Sequence, residues 1–124
     1  MIRVNVDDPD LDAELDQSVT YQGRLFTGET YEENPRTGVV VALTTYRGGL
    51  EDGPTKGWYP DGELEFEGFV ERGLPTGLWR SWHKNGQLAE EKEFGGRLGG
   101  VVAIRRWSEN GGLIDERSFD TDLE

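Results

Sequence analysis

The chain contains no cysteine and only one histidine, His83. Without cysteine there is no disulfide framework and no thiolate zinc site, so the fold needs no oxidising compartment. Basic charge is scarce too. Against 25 Asp and Glu there are 13 Lys and Arg, a formal net charge of −12. Phosphate backbones and anionic lipid surfaces are bound by clustered Lys and Arg, so neither nucleic acid nor membrane is expected as a partner. No stretch approaches the roughly 20 apolar residues that span a bilayer, and the start, Met1-Ile2-Arg3-Val4-Asn5-Val6-Asp7-Asp8, lacks the apolar run of a signal peptide. A soluble, cytoplasmic protein is the expectation.

What the chain has in excess is glycine, 18 of 124 residues, and these glycines are ordered. Three segments share one pattern: Trp58-Tyr59-Pro60-Asp61-Gly62, Trp82-His83-Lys84-Asn85-Gly86 and Trp107-Ser108-Glu109-Asn110-Gly111. Each Gly is followed two residues later by a leucine (Leu64, Leu88, Leu113), then by a glutamate (Glu67, Glu91, Glu116) and a phenylalanine (Phe69, Phe94, Phe119). Gly-bracketed turns precede each tryptophan, from Gly49 to Gly53, Gly73 to Gly77 and Gly96 to Gly100. The tryptophans are 24 and 25 residues apart. A fainter first copy places Tyr31-Glu32-Glu33-Asn34 where Trp-x-x-Asn stands elsewhere, lengthens the turn with Pro35-Arg36-Thr37-Gly38, and ends at Tyr46.

Asn-Gly and Asp-Gly supply the positive φ that hairpin loops require, and strand formers flank them. The fold class expected is therefore all-β, a twisted antiparallel meander of about four hairpin repeats over residues 21–46, 46–69, 69–94 and 94–119. Residues 1–20 read as an N-terminal cap, with Ile2, Val4 and Val6 alternating as in a strand and an acidic turn, or short helical turn, after them. Residues 120–124 read as a frayed acidic tail.

Two hairpin registers compete. A two-residue loop sets Lys56 opposite Glu67, Arg80 opposite Glu91 and Arg105 opposite Glu116. A three-residue loop sets each Trp opposite a Leu, and Pro60 suits the first central position of its type I turn. Apolar pairing outweighs exposed ion pairs, each worth under about 1 kcal/mol, so the three-residue loop is adopted. It implies a Trp–Leu stripe on one face. The other face would then be acidic and aromatic, carrying Tyr59, Glu63, Glu65, Glu67, Trp79, Glu91, Glu93 and Glu116. Of these, Tyr59, Glu63, Glu65, Glu67, Trp79, Glu91 and Glu93 are the expected partner-binding residues. Trp79 stands out because Thr55 and Ile104 fill its slot in neighbouring copies.

No catalytic residue, cofactor or metal site is expected. His83 shares its slot with Tyr59 and Ser108 and has no partner motif. Asp8, Asp10, Asp12 and Glu14 fall short of a calcium loop, since Ala13 stands at the sharp-turn Gly and Val19 at the bidentate Glu. Gly95-Gly96 and Gly99-Gly100 lack the Gly-Lys-Ser/Thr ending of a phosphate loop. A binding protein is expected, not an enzyme.

The segments Phe94-Gly95-Gly96-Arg97-Leu98-Gly99-Gly100 and Trp82-His83-Lys84-Asn85-Gly86-Gln87-Leu88-Ala89-Glu90-Glu91 resemble the bacterial MORN-repeat variant. Proteins made of little else are similar to the YwqK-type antitoxin and immunity family. That resemblance implies a protein that binds and neutralises a toxin. The acid surplus adds that the toxin is basic. The alternative is a non-catalytic scaffold for a non-toxin protein. The sequence leaves monomer and edge-paired homodimer equally open.

Overall fold

The computed structural model describes residues 1–95 and 99–119. They form twelve strands: β1 (Arg3–Asn5), β2 (Leu11–Ala13), β3 (Val19–Tyr21), β4 (Arg24–Leu25), β5 (Gly28–Glu33), β6 (Val40–Arg47), β7 (Leu50–Trp58), β8 (Leu64–Glu71), β9 (Leu74–Trp82), β10 (Leu88–Phe94), β11 (Val101–Trp107) and β12 (Leu113–Ser118). Nine of them make one sheet in the order β1-β5-β6-β7-β8-β9-β10-β11-β12; β2, β3 and β4 make a small second sheet. The meander expected from the repeats is present as four hairpins, β5–β6, β7–β8, β9–β10 and β11–β12, each pairing antiparallel with the next. No helix among the described residues is long and apolar enough to cross a membrane.

The tight loops follow their sequence. In Tyr59–Glu63 the Gly62 N–H donates to the Tyr59 carbonyl at 2.8 Å, and the Tyr59 N–H to the Glu63 carbonyl at 2.8 Å. Residues 83–87 and 108–112 repeat that arrangement. Gly62, Gly86 and Gly111 hold φ of 95°, 87° and 91°, which a Cβ would oppose. These are three-residue loops of type I turn plus Gly bulge, and Trp58 faces Leu64, Trp82 faces Leu88 and Trp107 faces Leu113.

One residue further into each hairpin the register changes. Glu65, Ala89 and Ile114 are left without a partner, and beyond them Lys56 faces Glu67, Arg80 faces Glu91 and Arg105 faces Glu116. The two registers that compete in the sequence thus coexist, joined by a β-bulge in the second strand of each hairpin. The first hairpin has the same bulge at Val41, but Glu33 and not Tyr31 holds the tryptophan slot, opposite Val40. Counted from the leucines, Val70 and not Phe69 corresponds to Phe94 and Phe119. Val70 is 4% exposed and Phe69 45%.

The cap differs from its expected outline. β1 lies parallel to β5, and the acidic stretch after it turns without forming a helix. Residues 21–25 belong to the small sheet rather than to the first repeat. The small sheet covers the side of the main sheet that carries Thr30 and Tyr46. Val19 N–H donates to the Gly49 carbonyl and Gly49 N–H to the Phe26 carbonyl, both at 2.8 Å, and the Phe26 ring meets Tyr46 at 5.8 Å. Val4 and Phe26 are buried there, with Ser18, Thr20, Thr30 and Thr45; Val70, Ala103 and Ile104 are the other buried apolar side chains. The side toward the small sheet is called the cap face, and the opposite side the outer face. The expected fraying of 120–124 and the turn at 96–98 lie outside the described residues.

Arg72 and Gly73 form a two-residue turn between Glu71 and Leu74, and Arg72 holds φ of 50°. Asn tolerates this left-handed conformation far better than Arg and suits the first position of such a turn. Arg72→Asn is expected to stabilise the protein by about 0.5–1 kcal/mol, read as a higher denaturant midpoint at unchanged slope.

Candidate binding surface

The bulges decide which residues share a face. Lys56, Glu67, Arg80, Glu91, Arg105 and Glu116 lie side by side across β7 to β12. They share the outer face with Trp58, Trp82 and Trp107, two residues along their strands. The row alternates in sign at every step. Glu91 is held by Arg80 at 2.9 Å and reached by Arg105 at 3.9 Å, while Arg105 also bonds Glu116 at 2.9 Å. The expected acidic aromatic face is therefore corrected. Glu67, Glu91, Glu93 and Glu116 lie on the same face as the Trp–Leu stripe, Glu67, Glu91 and Glu116 among cations, and Trp79 lies on the other. A face derived from one uniform register fails because the bulge reverses the alternation of side chains beyond it.

The remaining candidates sit near the loops. Glu65 is a bulge residue and Glu63 closes its hairpin loop. Tyr59 donates its hydroxyl to the Trp82 carbonyl at 2.7 Å, and His83 Nε2 bonds the Trp107 carbonyl at 2.8 Å. A carbonyl only accepts, so Nε2 carries the proton. From the same loop as His83, Asn85 donates to the Glu109 carbonyl at 2.8 Å and Lys84 donates back to Asp61 of the preceding loop. That bond from Lys84 holds the Asp61 carboxyl below its ordinary pKa. Tyr59 and His83 thus fasten the second hairpin to the third and the third to the fourth.

Trp79 lies on the cap face, where the small sheet does not reach. Its ring rests on Gly68, whose position would bring a Cβ to 2.1 Å from the indole, and its Nε1 donates to the Phe69 carbonyl at 3.1 Å. Phe94 meets it edge-on at 6.0 Å. In the neighbouring hairpin Phe66 lies over Gly57 in the same way. Phe66, Pro75, Trp79 and Phe94 wall an open groove of about 320 Å³, whose polar end holds Lys92 and Glu90. Glu90 is bonded by Arg106 at 2.6 Å and lies 3.7 Å from Lys92; that bond raises the Arg106 pKa. Of the seven binding residues expected, only Trp79 lines this groove. Phe66 and Pro75 were not foreseen. The signal for Phe66 was Gly57, a glycine inside a strand, which marks a close approach.

The acid surplus is uneven. Residues 1–73 hold six Lys and Arg against sixteen Asp and Glu, and residues 74–119 hold seven against six. The groove lies where the charge is nearly balanced, beside a strongly acidic half.

Two segments, residues 51–71 and 75–94, match the family model described as MORN repeat variant. They coincide with the β7–β8 and β9–β10 hairpins, the pair that carries Phe66, Trp79 and Phe94. No curated protein and no solved structure matches the chain. The second and third hairpins are thus similar in sequence to the MORN repeat variant, and the first and fourth hairpins share their bulged geometry.

Proposed function

We propose that this chain is an antitoxin- or immunity-type protein that binds and neutralises a basic protein toxin. The observation that carries the reading is the groove of Phe66, Pro75, Trp79 and Phe94. It is an aromatic surface uncovered on the cap face, and such surfaces anchor partner side chains. Beside it, the acidic half of the chain steers a basic protein toward the groove and repels acidic ones. The likeness of two hairpins to the MORN repeat variant, a repeat that antitoxins of the YwqK type resemble, supports the toxin as the partner class.

Co-expression tests the reading. The neighbouring gene product should arrest growth when produced alone and lose that effect when this chain is present. Trp79→Ala, in protein that keeps its β circular dichroism at the assay temperature, should weaken the complex by at least about tenfold. A neighbour that is harmless alone removes the toxin reading, and an unchanged affinity of the Trp79→Ala protein removes the groove.

A further inference from the structure

We infer that the edge of β12 left unpaired among the described residues is a docking site for an extended strand of a partner protein that carries two consecutive basic residues. The inference comes from comparing β10 with β12. Both have an acid pair two and three residues after the repeat leucine: Glu90-Glu91 after Leu88, and Asp115-Glu116 after Leu113. β10 uses its pair on both sides. On one side Glu91 faces Arg80. On the other, Glu90 and Glu91 face Arg106 and Arg105 of β11. β12 uses its pair on one side only, against the same Arg106 and Arg105. Its other edge carries no strand among the described residues.

The half-used pair is visible in the side chains. Glu91 lies between two arginines and its side chain is 16% exposed; among the described residues Glu116 is bonded by Arg105 alone, and it is 55% exposed. Asp115 is bonded by Arg106 and by Arg117 of its own strand. Beside them Leu113 is 54% and Ile114 67% exposed, so the edge also offers apolar area. Strand addition would supply main-chain hydrogen bonds, and the acid pair would choose the occupant. The alternating row on the outer face, which ends on Glu116, calls for a cation next. The residue beside it on the cap face, Asp115, calls for a second. A second copy of this chain fits less well. Antiparallel pairing of two β12 strands about Glu116 sets the two Glu116 carboxylates directly opposite each other, a like-charge contact.

The strand that meets the equivalent edge of β10 provides the probe: a capped peptide of residues 101–107, Val-Val-Ala-Ile-Arg-Arg-Trp, added to the full chain. Backbone amide shifts should saturate at residues 113–118. Arg105→Glu with Arg106→Glu in the peptide should weaken binding by at least about tenfold, a change that leaves the folded chain untouched. The chain carrying Asp115→Lys and Glu116→Lys should then prefer the glutamate peptide. The inference is overturned if millimolar peptide gives no saturable shift in β12. It is also overturned if the two peptides bind alike, or if the shifts extend to β10, which would mean exchange with the chain's own β11. Concentration-dependent shifts in β12 without peptide would assign the edge to self-association and overturn it as well.

Discussion

Gly68→Ala should cost about 3 kcal/mol of unfolding free energy, although it adds only one methyl group. A Cβ at this position would lie 2.1 Å from the Trp79 ring. The neighbouring atoms are the fused part of an indole packed on the sheet, so the ring must leave. Its departure forfeits the packing of a large aromatic, the edge contact with Phe94 and the hydrogen bond to the Phe69 carbonyl. Truncation of well-packed aromatics typically costs about 3–5 kcal/mol, and the partial exposure of Trp79 places it at the low end. The double-mutant cycle isolates the cause. In a Trp79→Ala background Gly68→Ala should be neutral, or stabilising by about 0.5 kcal/mol, because alanine loses less chain entropy than glycine on folding. The coupling should therefore be about 3 kcal/mol. Additive losses in urea denaturation would show that ring and glycine are independent.

The second large effect belongs to the charged row. Arg80→Glu places a carboxylate between Glu67 and Glu91, its neighbours on either side. It removes the 2.9 Å bond to Glu91 and turns two attractive cross-strand contacts into repulsive ones. Each pair lost and each repulsion gained is worth about 0.2–1 kcal/mol, so the total is about 2 kcal/mol. Arg80→Met removes only the attraction and should cost about half as much. Salt separates charge from shape. In about 1 M NaCl the screening length falls to about 3 Å, and the gap between the Glu and Met variants should narrow markedly. Equal stability of the two variants at low salt would mean the row contributes nothing.

The groove and the row also show what a single sequence conveys. The hairpins, their loops and the Trp–Leu pairs were legible because Asn-Gly and Asp-Gly constrain backbone geometry locally. The bulge was not, because Glu65, Ala89 and Ile114 share no chemistry. An extra residue in a strand needs no particular side chain. Everything that depends on alternation beyond it was consequently placed on the wrong side, including the separation of Glu67, Glu91 and Glu116 from the tryptophans. Phe69 misled for a related reason. It resembles Phe94 in type but stands one position short of the slot, which Val70 fills. The groove was half legible, through Trp79 as the aromatic that does not recur. Its other walls required the knowledge that Gly57 and Gly68 lie beneath aromatic rings.

The fastening between hairpins is not the same at every loop. Tyr59 reaches the Trp82 carbonyl and His83 the Trp107 carbonyl, and Ser108 occupies the same slot in the β11–β12 loop. Its hydroxyl is turned inward, bonded to Asn110 within its own loop, and is too short to reach a neighbour. Tandem duplication of a 24- or 25-residue unit after β12 would therefore lengthen the sheet without locking it. Duplication between β8 and β9 would insert a unit with a working fastener on either side. A unit placed next to a Ser108-type loop would be held by strand pairing alone, whereas Tyr59 and His83 add a bond from loop to loop.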